Sequence, residues 1–297
     1  MNGILYLVPV PIGDGDPKDE LAPRVVLIVN GIRDFIVENE RSARRVLSRM
    51  MPQTALDAST LNILDEHTRP EALAGLLAPL LAGRNAAIIS EAGSPCVADP
   101  GATLVAAASR AGIRSIPLPG PSAILMAIMA SGLGGQRFAF RGYLPPDTAG
   151  REAALRELEI RSAHEGSTQV FIETPYRNDS MAQSAVKILR NETLFCAAIG
   201  LSSPEERIVR MEAAAWRKTT PAIGKIPTVF LLSAAADPGP AVPERPLQRA
   251  AERPAKRSGD RRDTSGPASD RHHHDGRRDD QKQHKSATPR PKPRRDA

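Results

Sequence analysis

Aromatic residues make up only 3% of this 297-residue chain, so its core is expected to be built from Leu, Ile, Val and Ala rather than from stacked rings. Cysteine is scarcer still. Cys96 and Cys196 are the only two. Neither lies in a Cys-x-x-Cys pair or a Cys/His cluster with metal spacing, so neither a disulfide framework nor a metal centre is expected. No apolar run approaches the roughly eighteen residues of a membrane span. The apolar start at 4–10 has no basic region before it and is too short for a signal peptide. A soluble, cytoplasmic protein with no membrane contact is the expectation. The glycine fingerprints of nucleotide enzymes are missing too: Gly13-Asp14-Gly15 has no third glycine at the required spacing, and no G-x-x-x-x-G-K-[ST] occurs.

An excess of charge is absent from most of the chain. The net charge is +6, but residues 237–297 hold 16 Lys+Arg and 10 Asp+Glu, leaving 24 of each sign before them. That stretch has nine prolines and no hydrophobic periodicity, so a disordered basic tail is expected there. Its histidine triplet, His272 to His274, reads as part of a solvated segment.

What is present alternates. Apolar runs at 4–10, 34–38, 86–90 and 115–118 read as strands, and helical patterns at 41–50, 71–81 and 103–110 lie between them, with Gly83 and Gly112 as stops. Strands separated by helices imply parallel pairing with helices on both faces. From Phe138 the pattern restarts, with strands at 138–143 and 169–173 and helices at 151–162 and 177–190. Strands at 194–200, 207–211 and 228–233 then follow closely enough to suggest antiparallel pairing. The expected fold is α/β: an N-terminal domain over 1–120 with a mostly parallel sheet, and a C-terminal domain over 121–236 with a mixed sheet. A ligand cleft lies between them and the tail covers 237–297.

Three Gly/Pro-rich segments stand directly after expected strands, where open α/β sheets bind ligands. They are PVPIG at 9–13, SEAGSPCVADPG at 90–101 and PLPGPSA at 117–123. Glycine lets a backbone approach a ligand closely, and proline fixes the loop in advance. Any one of them alone reads as a plain strand-to-helix turn; three in succession read as a site.

Taken together, these loops resemble the tetrapyrrole methylase family of S-adenosylmethionine-dependent enzymes, and within it the branch that methylates ribosomal RNA of the small subunit. The resemblance continues through RGYLP at 141–145, FIETPYR at 171–177 and IPTVFLL at 226–232. Two stretches depart from that branch: VENER at 37–41 keeps Glu38 and Arg41 but lacks an Asp-Thr pair, and Gly200-Leu201-Ser202-Ser203 replaces Glu-Leu-Thr-Lys.

The resemblance implies S-adenosylmethionine in the cleft, held by Pro11, Gly13, Glu91, Gly93, Ser94, Val97, Ala98, Ser122, Ala123 and Thr228. It also implies a homodimer and a methyl acceptor that includes ribosomal RNA. Methyl transfer removes positive charge from sulfur, so a site of carbonyls and small apolar groups suits it better than a carboxylate touching sulfur. A ribose hydroxyl needs a general base, and Glu38 and Glu173, each following an apolar strand, are the candidates. A strand-end carboxylate in a salt bridge is the alternative for both. Arg41, Arg44 and Arg177 are candidates for meeting an anionic substrate, with a solvated helix face as their alternative. Cys96 has no histidine beside it in sequence and reads as a small buried residue. Two other functions stay open: methylation of a small molecule such as a tetrapyrrole, and cofactor binding without catalysis.

Overall fold

A computed structural model describes residues 1–219 and 221–234. The expected tail at 237–297, with its histidine triplet, lies outside the described residues.

Two five-stranded sheets organise the described residues. The first consists of β1 (Ile4–Val8), β2 (Asp34–Val37), β3 (Thr60–Ile63), β4 (Ala86–Ile89) and β5 (Arg114–Pro117), in the order β3-β2-β4-β1-β5, and every pairing is parallel. Around it lie α1 (Pro17–Glu20), α2 (Pro23–Asn30), α3 (Glu40–Met50), α4 (Gln53–Asp57), α5 (Leu73–Leu81) and α6 (Gly101–Arg110). Strand residues alternate between two apolar clusters: Phe35, Val37, Ala87 and Ile89 pack on one face, and Leu5, Ile36, Ala86 and Ile88 on the other. Both faces are therefore covered, which is why β2 and β4 read as unbroken apolar runs.

The second sheet consists of β6 (Phe138–Tyr143), β7 (Thr168–Ile172), β8 (Leu194–Ile199), β9 (Arg207–Glu212) and β10 (Thr228–Ser233), in the order β6-β7-β10-β8-β9. β6 and β7 run parallel, whereas β10 pairs antiparallel with β7 and β8, and β8 with β9. Its helices are α7 (Ala123–Ser131), α8 (Thr148–Glu165), α9 (Asn178–Ile188) and α10 (Ala213–Thr219). One face carries a cluster of four rings: Phe171 stacks on Phe230 at 5.7 Å, Phe230 on Phe195 at 5.8 Å, and Phe195 tilts against Trp216 at 5.2 Å. The other face, with Val170, Cys196, Ala198, Val229 and Leu231, packs against Ala127 and Ile128 of α7. Each fully buried Phe contributes roughly 1.5–3 kcal/mol by leaving water.

Several elements differ from the sequence reading. β3 is an additional strand, missed because TLNI is a four-residue edge segment with neither end buried. Helices α1, α2 and α4 fill stretches that showed no clear period. Another helix, α10, lies between β9 and β10, where none was expected. Finally, α8 is longer than 151–162 at both ends, because Asp147 caps it by accepting from the Gly150 N–H at 2.7 Å and Gly166 ends it in the left-handed region.

Candidate active site

β4, β1 and β5 are neighbours in a parallel sheet, so the three Gly/Pro loops that follow them emerge side by side at one edge. They are also tied together. Val10 N–H donates to Gly93 O at 2.9 Å, joining the first loop to the second, and Ser94 Oγ donates to Pro121 O at 2.9 Å, joining the second to the third. Ser90 Oγ donates to Gly93 O at 3.1 Å and braces the second loop internally.

Facing these loops is the α7 side of the second sheet, and between them lies a cavity of about 430 Å3. The loops contribute Ile12, Glu91, Gly93, Ser94, Val97, Ala98, Ser122 and Ala123; Glu38 stands just after β2 and Glu173 just after β7; the second sheet contributes Ile172, Ala198, Thr228 and Val229. Among the named cofactor candidates, Glu91, Gly93, Ser94, Val97, Ala98, Ser122, Ala123 and Thr228 all line this cavity. Pro11 and Gly13 are not among the lining residues; of the first loop, Ile12 between them is the one that lines the cavity. An ideal Cβ on Gly13 would stand 3.1 Å from Ser202 O, so this glycine permits a close approach of the first loop to the turn after β8.

The backbone of this region is held in unusual conformations. Gly93 has φ +67, and the non-glycine residues Cys96, Ala98 and Ser202 have φ +68, +57 and +61. Such conformations cost on the order of 1–3 kcal/mol each and persist only where the surroundings impose them. All three non-glycine cases fall in turns at this cleft. The Cys96 thiol is pushed up to about 12 by burial, with Asp99 adding to the rise, so it stays protonated and is not a nucleophile.

Glu38 and Glu173 both line the cavity, in different states. Burial pushes the Glu38 carboxyl up to about 7. A hydrogen bond with the Asp99 carboxyl and the charges of Asp99 and Glu91 add to the rise, and the Glu91 backbone N–H opposes it. A carboxyl–carboxyl hydrogen bond requires one of the two to carry a proton. Asp99 was not named from the sequence; its signal was the Asp-Pro-Gly step, where its Oδ1 accepts from Gly101 N–H at 2.7 Å as α6 begins.

Glu173 is in the salt bridge that was its alternative reading. Its Oε1 accepts from Arg177 Nη2 at 2.6 Å and from Thr174 N–H at 2.6 Å, while its side chain is fully buried. Its Oε2 is buried with no hydrogen-bond partner among the described residues. The arginines are set apart from the cavity wall. Arg44 pairs with Glu40 at 2.8 Å, Arg177 is held by Glu173, and Arg41 lies exposed in the first turn of α3, which Asn39 caps. Buried Asn178 donates from Nδ2 to Ile226 O at 2.7 Å and Gly224 O at 3.2 Å, fixing the segment that presents Thr228.

A second cavity of about 750 Å3 opens beside the first and shares Glu38, Glu91, Ala98 and Asp99 with it. Asn39, Asp65, Glu66, His67 and Pro100 complete its wall. No cluster of three or more metal-ligating side chains suited to a metal ion occurs among the described residues.

A parallel sheet whose strand-end loops face a mixed sheet across a cavity of ligand size defines an α/β fold with a cleft between its two sheets. Residues 5–216 match the family described as Tetrapyrrole (Corrin/Porphyrin) Methylases, and the chain belongs to that family. It is 32% identical over 211 residues to a protein of Vibrio cholerae named ribosomal RNA small subunit methyltransferase I, covering 71% of this chain and 69% of that one. It is 36% identical over 178 residues to the protein of the same name from Xylella fastidiosa, covering 59% and 60%. Among solved structures it shares the fold of the methyltransferase CobJ, with TM-score 0.55, 20% identity, and coverage of 79% of this chain and 95% of that one. It also resembles the uroporphyrin-III C-methyl transferase from Thermus thermophilus complexed with S-adenyl homocysteine, with TM-score 0.50, 18% identity, and coverage of 78% and 97%.

Proposed function

We propose that this protein transfers the methyl group of S-adenosylmethionine to a ribose hydroxyl of ribosomal RNA. The observation that carries this reading is the cleft itself. Three braced loops and the second sheet enclose about 430 Å3, and a carboxyl raised to about 7 stands in its wall. The names of the relatives support the acceptor class, and the ligand of the Thermus protein supports the donor class.

The residues present fit such a donor. The volume lies in the range of roughly 300–1,000 Å3 usual for small-molecule sites. Ile172, Ala198 and Val229 give an apolar wall suited to a flat base, and the unpartnered Glu173 Oε2 offers an acceptor to an amino or hydroxyl group. Gly93 and Ser94 bring the backbone of the second loop to the cavity. When bound, S-adenosylmethionine supplies an electrophilic methyl group on a sulfonium. The chain's own contribution is to hold donor and acceptor in line and to keep water out. Alignment of this kind is worth on the order of 7–11 kcal/mol where it is complete. Glu38 takes the hydroxyl proton; Glu173, committed to Arg177 through one oxygen, positions the ligand with the other.

A second reading, methylation of a small cationic or amine-bearing molecule, is favoured by the acidic wall of the neighbouring cavity, with Asp65, Glu66, Glu91 and Asp99. Incubation with labelled S-adenosylmethionine against total RNA, ribosomal subunits and a small-molecule extract separates the two. Label is expected in RNA. Label in the small-molecule fraction alone establishes the second reading, and cofactor binding with no acceptor labelled at all establishes a non-catalytic protein.

The division into lobes at 120/121 is supported by α7, which packs on the second sheet. No helix among the described residues is long and apolar enough to cross a membrane, and a cytoplasmic setting follows from an RNA acceptor. A homodimer is supported by α7 as well. It is apolar around most of its circumference, and Leu125 and Met129, 52% and 81% exposed, face away from its own sheet's core. Light scattering is expected to give twice the chain mass, and Met129→Lys to shift it toward one chain; a monomeric wild type rejects the dimer.

A further inference from the structure

Half of the ten aromatic rings in this chain are spent inside. Phe35, Phe171, Phe195, Phe230 and Trp216 are all fully buried. Two of the three tyrosines are placed the opposite way: Tyr143 is 58% exposed and Tyr176 is 79% exposed. Both stand at the mouth of the cleft. Tyr143 ends β6, lines the cavity and pairs in register with Ile172. Tyr176 follows Pro175, another lining residue, in the short 3-10 turn Pro175–Arg177 that comes directly after β7.

Cations are interleaved with these rings. Lys225 Nζ stands 5.2 Å from the centre of the Tyr176 ring. The Arg177 guanidinium, anchored by Glu173, lies within electrostatic reach of Tyr143. Exposed rings with cations beside them match two features of an unpaired nucleic acid strand, the π-face of each base and the phosphate between bases. A small ligand confined to the cavity has no use for Tyr176, which does not line it. A duplex keeps its bases stacked on one another and offers no free π-face to either tyrosine.

We propose that Tyr143, Tyr176 and Lys225 form a stacking platform for single-stranded RNA, holding the bases that flank the methyl acceptor as its ribose enters the cleft. This rests on the ribosomal RNA reading above. The platform lies on the second lobe, whereas Glu38 and the Gly/Pro loops lie on the first, so the strand meets recognition and chemistry from opposite sides.

The test uses the full chain and two readouts: methyl transfer to ribosomal subunits, and binding of a labelled short single-stranded oligoribonucleotide of mixed sequence. Tyr176→Ala is expected to raise KM for RNA and Kd for the oligonucleotide roughly 10- to 100-fold, with kcat and the Kd for S-adenosylhomocysteine within about twofold. Tyr176→Phe, which keeps the ring, restores both values; Tyr176→Leu, which keeps only apolar bulk, does not. The wild type binds the single strand more tightly than its duplex. If wild-type protein methylates RNA and Tyr176→Ala matches it in KM, the platform is rejected while the functional reading stands. If Tyr176→Ala instead halves the mass in light scattering and leaves RNA affinity intact, the face joins two copies of the chain and the platform is rejected. If wild-type protein neither methylates RNA nor binds the oligonucleotide, the functional reading fails and the platform with it.

Discussion

Glu38→Gln is expected to lower kcat by roughly 10²- to 10⁴-fold while leaving the affinity for S-adenosylhomocysteine within about twofold. Glutamine keeps the shape and polarity of the side chain but cannot take up a proton. The wild-type carboxyl, raised to about 7, is poised where a base is both largely ionised and still basic enough to act in neutral solution. Wild-type rates therefore climb as pH rises through about 7, and the variant loses that limb. Stability moves the other way. A folded carboxyl that holds its proton from the ordinary glutamate value of 4.5 up to about 7 binds more protons than the unfolded chain over that interval. The native state thus loses stability as pH rises through it. Glu38→Gln, uncharged throughout, is expected to melt above the wild type at pH 8 and to show no advantage at pH 4. A variant with wild-type kcat and an unchanged pH profile places the proton acceptor elsewhere.

The second large effect comes from filling the cleft. Ala123 opens α7, is half-buried, and has its free side toward the cavity. A tryptophan there has the cavity as its available space, so Ala123→Trp is expected to weaken S-adenosylhomocysteine binding at least about a hundredfold, equivalent to ~2.7 kcal/mol. The melting temperature should stay within a few degrees, because the added ring replaces cavity rather than packed core. The effect differs in kind from that of Glu38→Gln, which removes chemistry and spares binding. Unchanged binding in Ala123→Trp would place the ligand outside this cavity.

The features of this molecule that were legible in its sequence are those written in local patterns. Apolar runs closed by Gly and Pro marked β1, β4 and β5 and the loops after them, because buried parallel strands are apolar on both faces and their turns need special backbone. The loops found this way hold seven of the eight cofactor candidates that line the cavity; the choice of those residues, and of Thr228 on β10, came from the family resemblance. Glu173 was visible as a strand-end carboxylate, although the sequence named no partner for its salt bridge and did not distinguish a base from an ion-paired carboxylate; Arg177 was read apart from it, as a candidate for an anionic substrate. What stayed hidden depends on contacts across the fold. Asp99 acquires its role only because β2 and β4 are neighbours, which brings a residue 61 positions away against Glu38. β3 escaped notice because an edge strand has no face fully buried and so shows no hydrophobic period. The exposure of Tyr143 and Tyr176 could not be read from residue type either, since tyrosine is as much at home in a core as at a surface.

The function proposed for this protein depends on a sulfonium nucleoside fitting between the strand-end loops and the second sheet. Calorimetric titration of the intact protein with S-adenosylmethionine and, separately, with S-adenosylhomocysteine tests this most directly. Saturable heat at one site per chain is expected for both, and Ala123→Trp abolishes it. No heat from either compound in a folded wild-type protein would contradict the assignment of the cleft.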